Sequence, residues 1–200
     1  MRRVSIIRHG MTPATERHLY CGSSDVPLSP EGRKELIRKK NMYRYPDPEG
    51  CSFYTSGMRR TEETLELLYG PVSHGMRPDL KEMDFGEFEM HTYDELRDMP
   101  SYIAWITGDN DENVCPGGES GAVMEERAAV GFRQLLASGC GDLVIVTHGG
   151  PCAAVMRRLF PEQGRNRYEW QPKPGEGYEI LFDGEKPCSF SRIPEGIQNS

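Results

Sequence analysis

The sequence predicts an α/β fold, a three-layer sandwich with a mostly parallel central sheet and helices on both faces. Three observations carry that expectation. Short strand-like runs stand at Val4–Arg8, Ser52–Thr55 and Leu143–Val146, the last of them entirely apolar. Segments with helical start signals and spacing alternate with them, as parallel sheets require of their crossovers. Two of the runs end on a histidine followed by glycine, His9-Gly10 and His148-Gly149. In this architecture ligands bind beyond the carboxyl ends of the strands, where both histidines fall.

Taken in order, the first strand gives way to loop chemistry over residues 11–29, where Thr12-Pro13, Gly22-Ser23-Ser24-Asp25 and Pro27 are scattered. Ser29-Pro30-Glu31 predicts a helix start, with serine as cap and proline at the first helical position, and the helix runs toward Asn41. After the turn-rich Pro46–Gly50 and the second strand, Ser56 is expected to cap a helix reaching about Leu68. Residues 78–92 read as irregular. Helical pattern returns at 93–99 and more strongly from Glu119 to Leu136. The strand at 143–146 leads through Gly149-Gly150-Pro151 into a helix to about Leu159, and 178–182 with 188–193 flank Asp183-Gly184 as a hairpin.

Two hundred residues suit one domain, 1–200, with a helical and loop cap at about 86–120. With 36% hydrophobic and 28% charged residues the chain reads as an ordinary globular protein, and no apolar run is long enough for a membrane span or a secretory leader. A net charge of −7 argues against nucleic acid or an anionic membrane as partner, so an anionic substrate must be gripped by local positive charge. Six widely spaced cysteines without a C-x-x-C pair imply reduced thiols and a cytoplasmic setting, and no ligand cluster calls for a metal or other cofactor. Oligomeric state is not encoded in any pattern we recognise.

The chemistry concentrates at Arg8-His9-Gly10-Met11-Thr12, at Thr147-His148-Gly149-Gly150 and in the stretch from Ser56 to Thr64, with a group of loop acids beside them. Neutral imidazole is a good nucleophile toward phosphorus near pH 7, its ordinary pKa being about 6.5. The glycines after His148 leave a bare helix N-terminus that favours an oxyanion. In Ser56-Gly57-Met58-Arg59-Arg60, Arg59 has Glu63 one turn on, an exposed pair, whereas Arg60 shares a stripe with Thr64 nearer the apolar side. An arginine at a helix start opposes the helix dipole unless an anion compensates it, which makes Arg60 the candidate ligand. Four acids, Glu82, Asp84, Glu87 and Glu89, crowd one loop, and spacing alone does not choose among them.

Together with Gly22-x-x-Asp25-Val26-Pro27-Leu28-Ser29, Leu80-x-Glu82-x-Asp84-Phe85-Gly86-x-Phe88-Glu89, Pro116-Gly117-Gly118-Glu119-Ser120 and Thr147-His148-Gly149-Gly150, this ordered series resembles the histidine phosphatase superfamily, the phosphoglycerate-mutase-like fold with an Arg-His-Gly signature. Tyr20-x-Gly22-x-x-Asp25-Val26-Pro27-Leu28 further resembles its alpha-ribazole phosphatases. The resemblance implies a small-molecule phosphomonoesterase in which His9 becomes phosphohistidine, Arg8, Arg60 and His148 surround the phosphoryl group, and Glu82 protonates the leaving group, at mildly acidic pH. It implies further phosphate or substrate contacts at Thr12, Thr15, Cys21, Gly22 and Gly149. The leaving group is expected against residues 11–28, 90–115 and Gly175–Tyr178. Met11, Ala14-Thr15, Cys21, Phe88 and Met90 depart from the family's commonest residues and bear on substrate choice more than on chemistry. A cofactor-dependent phosphoglycerate mutase and a phospholigand-binding module without turnover are the competing readings.

Overall fold

The structure, a computed structural model, describes residues 1–109, 111–139 and 141–196; Cys140 lies outside them. β1 (Arg2–Arg8), β3 (Ser52–Thr55), β4 (His74–Met76), β5 (Leu143–Thr147), β6 (Gly177–Asp183) and β7 (Lys186–Ile193) form one sheet in the order β4-β3-β5-β1-β6-β7. The pairings β4–β3, β3–β5 and β5–β1 are parallel; β1–β6 and the hairpin β6–β7 are antiparallel. β2 (Tyr43–Arg44) and β8 (Glu195–Gly196) make a separate two-stranded ribbon.

Side-chain alternation explains why Val4, Ile6 and Ile7 of β1 and residues 143–146 of β5 are apolar on both faces of the sheet. Val4, Ile6, Leu143 and Ile145 enter one core cluster with Met124, Ala128 and Phe132 of α6 (Gly121–Ala137) and Val155 and Met156 of α7 (Gly149–Leu159). Their neighbours Ile7, Val144 and Val146 enter another, with Leu36 of α2 (Pro30–Met42) and Leu65 and Leu68 of α3 (Arg59–Tyr69). Helices therefore cover both faces, as expected.

Local signals hold where they are self-contained. Ser29 caps α2 through its hydroxyl, with Pro30 at the first helical position, and Ser120 caps α6 in the same way. Three readings need correction. The stretch 11–29 is not all loop: Thr12 caps a short helix α1 (Pro13–Glu16). Between 93 and 107 there are two helices, α4 (Tyr93–Leu96) and α5 (Pro100–Ile106), because Pro100 begins a new one. Ser56 does not cap α3: Gly57 takes φ +81°, the helix starts two residues later, and Met58 occupies the cap position without a side-chain bond. A last short helix, α8 (Arg167–Trp170), is held by a capping box on Asn166 and Glu169.

Candidate active site

β1 delivers His9 to the carboxyl edge of the sheet, where its N–H bonds to the Thr147 carbonyl at 2.9 Å. The ring is buried, and Nδ1 lies 2.7 Å from the Gly10 carbonyl oxygen. A carbonyl only accepts, so Nδ1 carries the proton and Nε2 keeps its lone pair. Burial, then the guanidinium groups of Arg60 and Arg8, pushes the His9 pKa well below the ordinary imidazole value. His9 is thus a neutral imidazole at pH 7, with a defined tautomer.

His148 sits at the end of the neighbouring strand β5, its ring centroid 5.1 Å from that of His9 and the two planes at 67°. It too is neutral, its pKa pushed down by burial and then by Arg60. Its nitrogens are wired differently. Arg60 Nε donates to Nδ1 at 3.2 Å, which leaves the proton on Nε2, 2.8 Å from Ser56 Oγ. Thr61 Oγ1 donates to the Met58 carbonyl at 2.7 Å, so the Ser56 hydroxyl proton goes to Thr61 Oγ1, 3.1 Å away. The chain of donors fixes one tautomer of His148 with both ring nitrogens in use.

Arg60 is almost completely buried, while Arg59 reaches out toward Glu63 at 3.7 Å. Its misplacement at a helix start is compensated by carbonyl oxygens: Nη1 donates to Ser24 at 2.8 Å and Nη2 to Gly22 at 2.7 Å. Arg8 donates through Nη1 to Pro172 at 2.9 Å, while its buried Nε has no protein partner. Gly149 packs under this guanidinium, since a Cβ there would come within 3.3 Å of Arg8 Cζ.

Of the four loop acids, Glu82 is the one that lines the cavities. Its Oε2 accepts the Gly150 N–H and its Oε1 the Met83 N–H, both at 3.0 Å. The helix N-terminus read from the glycines therefore faces the Glu82 carboxylate, and a Cβ at Gly150, 2.2 Å from Oε1, would push that carboxylate from its place. Glu89 and Asp84 are spent on the loop: Glu89 accepts backbone N–H groups of Gly22, Ser23, Ser24 and Phe85, and Asp84 accepts from Ser23 Oγ and Gly86.

Two adjoining cavities of about 360 Å³ each meet at Arg8, Leu19, Tyr20, Cys21 and Glu82. The first adds His9, Thr12, Thr15, His18 and Arg60. The second adds Met83, Phe85, Trp105, Ile106, Met124, Gly150, Arg167, Tyr168 and Gln171. Thr12 and Thr15 are tied to each other, hydroxyl to hydroxyl at 3.1 Å. Gly22 contributes structure instead of lining either cavity: its N–H goes to Glu89, its carbonyl to Arg60, and a Cβ would strike the Met83 carbonyl. Residues 175–178 line neither cavity; Gly177 and Tyr178 pair with Ile7 and Ile6 on β1. Ser56 is the residue whose part here went unread, and Gly57 behind it was the available signal. Nothing in the spacing of Phe85, Trp105, Tyr168 and Gln171 announces that they converge.

The sequence profile of the histidine phosphatase superfamily (branch 1) matches residues 4–190. The chain is 29% identical over 180 residues to the adenosylcobalamin/alpha-ribazole phosphatase of Salmonella typhimurium, covering 86% of this chain and 87% of that one. It is 26% identical to phosphoglycerate mutase 1 of Saccharomyces cerevisiae, covering 80% and 78%. A solved structure from Escherichia coli K-12, described as a candidate alpha-ribazole-5'-P phosphatase, superposes with a TM-score of 0.82 at 20% identity over 98% of this chain and 96% of the other, a likeness of fold. The chain belongs to the histidine phosphatase superfamily, and it is a phosphatase.

Proposed function

We propose that the enzyme hydrolyses a small phosphorylated metabolite by way of a phosphohistidine on His9 Nε2. The observation that carries this reading is the tautomer of His9, whose Nδ1–H is committed to Gly10 and whose bare Nε2 shares a cavity with two arginines and one carboxylate. Phosphoryl transfer asks mainly for positioning and for positive charge on the equatorial oxygens, which Arg8 and Arg60 supply.

In the first step the Nε2 lone pair forms a bond to phosphorus as the bond to the leaving oxygen breaks. Glu82, in its carboxylic acid form, passes its proton to that oxygen. The phosphorylated ring carries positive charge, and the Nδ1–H bond to the Gly10 carbonyl stabilises it. In the second step water attacks phosphorus, its proton goes to the Glu82 carboxylate, the N–P bond breaks, and phosphate leaves. Glu82 stands where the two cavities join, which is where the bridging oxygen must lie if phosphate fills the cavity of His9 and the leaving group the other. His148 holds Arg60 in register by accepting its Nε–H at Nδ1. Residues of about 86–120 act as the cap in this reading, bringing Trp105 and Ile106 to the leaving-group side. We place the enzyme in the cytoplasm, in keeping with its scattered cysteines.

Rapid quenching with a radiolabelled phosphate ester tests the reading: the wild type yields acid-labile, alkali-stable label on His9, and His9→Ala yields none. Label on another residue, or turnover by His9→Ala, overturns it. Similarity to a phosphoglycerate mutase supports a second reading, in which the phosphoryl group returns to substrate. With 2,3-bisphosphoglycerate as primer, interconversion of 3- and 2-phosphoglycerate without phosphate release would establish it. A hydrolysis panel of sugar phosphates, phosphoglycerates, nucleotides, alpha-ribazole phosphate and phosphopeptides identifies the substrate.

A further inference from the structure

We propose that Glu62 is a positioning residue for the phosphoryl site, acting through Thr55 to lock the turn that brings Ser56 to His148. The proposal rests on the reading above, in which His148 holds the Arg60 guanidinium that grips the phosphoryl group.

The turn runs from Thr55, the last residue of β3, to Met58 at the cap position of α3, and it has to be held by other side chains. Gly57 within it stands at φ +81°, a conformation that glycine adopts and leaves at little cost. Met58 makes no side-chain bond to the helix end, so the usual fastening of a turn to its helix is missing. Two side chains from the first turn of α3 take its place. The Thr61 hydroxyl donates to the Met58 carbonyl, and its oxygen receives the Ser56 hydroxyl. Glu62 Oε1 receives the Thr55 hydroxyl. A carboxylate oxygen only accepts, so Thr55 donates there, and its own oxygen is left to receive the Gly57 N–H at 3.1 Å.

The second oxygen of Glu62 is taken as well: His74 Nε2, on the edge strand β4, donates to Oε2 at 2.6 Å. A helix dipole favours an acid in the first turn wherever its oxygens point, so the dipole does not explain why both are turned to side chains of two strands. Neither Glu62 nor Thr55 lines a cavity, and Thr55 is wholly buried. Their influence passes along single hydrogen bonds. Glu62 fixes the Thr55 hydroxyl, and that hydroxyl fixes the Gly57 N–H. Ser56, between the two, meets His148 Nε2 at 2.8 Å, and His148 Nδ1 meets Arg60 Nε at 3.2 Å. A shift of about 1 Å in Ser56 Oγ takes the first of these bonds out of range.

The test measures kcat/KM on p-nitrophenyl phosphate, with the melting transition recorded for each variant. Thr55→Val keeps the shape and removes the hydroxyl; it should lower kcat/KM about three- to tenfold, and Thr55→Ser should restore most of the loss. Glu62→Leu, on a partly exposed face of α3 where the fold is less at risk, should show a similar loss, and Glu62→Gln, which keeps an acceptor for Thr55, a much smaller one. Because the effect runs through Ser56, Thr55→Val should cost little more once Ser56→Ala is present. The nitrogen-15 signals of His148 should change in Thr55→Val while those of His9 stay in place. Full additivity of Thr55→Val with Ser56→Ala, unchanged His148 signals, or wild-type kcat/KM in both Thr55→Val and Glu62→Leu overturns the positioning role; with label still trapped on His9, the catalytic reading stands. A wild type that carries no label on His9 overturns the catalytic reading and the positioning role together.

Discussion

His9 and His148 occupy corresponding ends of adjacent parallel strands, each followed by glycine, each buried, and each with a pKa pushed down by burial and Arg60. Strand position and burial do not tell them apart. Their hydrogen bonds do. His9 has one nitrogen anchored to its own chain and the other bare. His148 has one nitrogen receiving Arg60 and the other tied to Ser56, a side chain from the turn before α3. The first is arranged to react and the second to hold a guanidinium in place, so the chemical role follows from which nitrogen keeps its lone pair.

Removing each partner in turn sharpens this contrast. His9→Ala should cost about 10⁴-fold or more in kcat while the far-ultraviolet circular dichroism and melting transition stay native-like. Glu82→Gln should lower kcat by about 10²–10⁴-fold on alkyl phosphates and far less on p-nitrophenyl phosphate, whose leaving oxygen scarcely needs a proton. Equal losses on both ester types would remove Glu82 as the acid. Ser56→Ala leaves the His148 Nε2–H without its acceptor, and should cost roughly 1–3 kcal/mol of stability by denaturant titration. It should also lower kcat/KM about tenfold, with restoration by Ser56→Thr.

The smallest effect concerns pH. Both imidazoles have folded pKa values below that of the unfolded chain, so between the two values the unfolded state binds more protons. Their stabilising contribution is present above about pH 6.5 and is lost progressively as pH falls below it. Melting temperature should therefore drop from pH 7 toward pH 5, with a shallower slope in His148→Gln; an unchanged slope would contradict the neutral assignment.

Much of this was legible because it is local. Ser29 before Pro30 declares α2, the apolar run 143–146 declares a strand buried on both faces, and helical spacing separates Arg60 from Arg59. What escaped depends on the path of the chain in space. Ser56 looked like a cap because sequence shows a serine before a helix, whereas the left-handed Gly57 swings it toward a histidine 92 residues away. Glu82 could not be distinguished from Asp84 and Glu89 by spacing, since the difference lies in Gly22–Ser24 occupying Glu89 and Gly150 meeting Glu82. The second cavity draws on residues from 8 to 171 and leaves no periodic trace.

The wiring of the two rings can be read directly by nitrogen-15 NMR of the ¹⁵N-histidine-labelled protein at pH 7.5. The account predicts two neutral imidazoles of opposite tautomer, His9 protonated on Nδ1 and His148 on Nε2, assigned by His9→Gln and His148→Gln. A His9 protonated on Nε2, or carrying both protons at that pH, would leave no lone pair for phosphorus and would contradict the account at its centre.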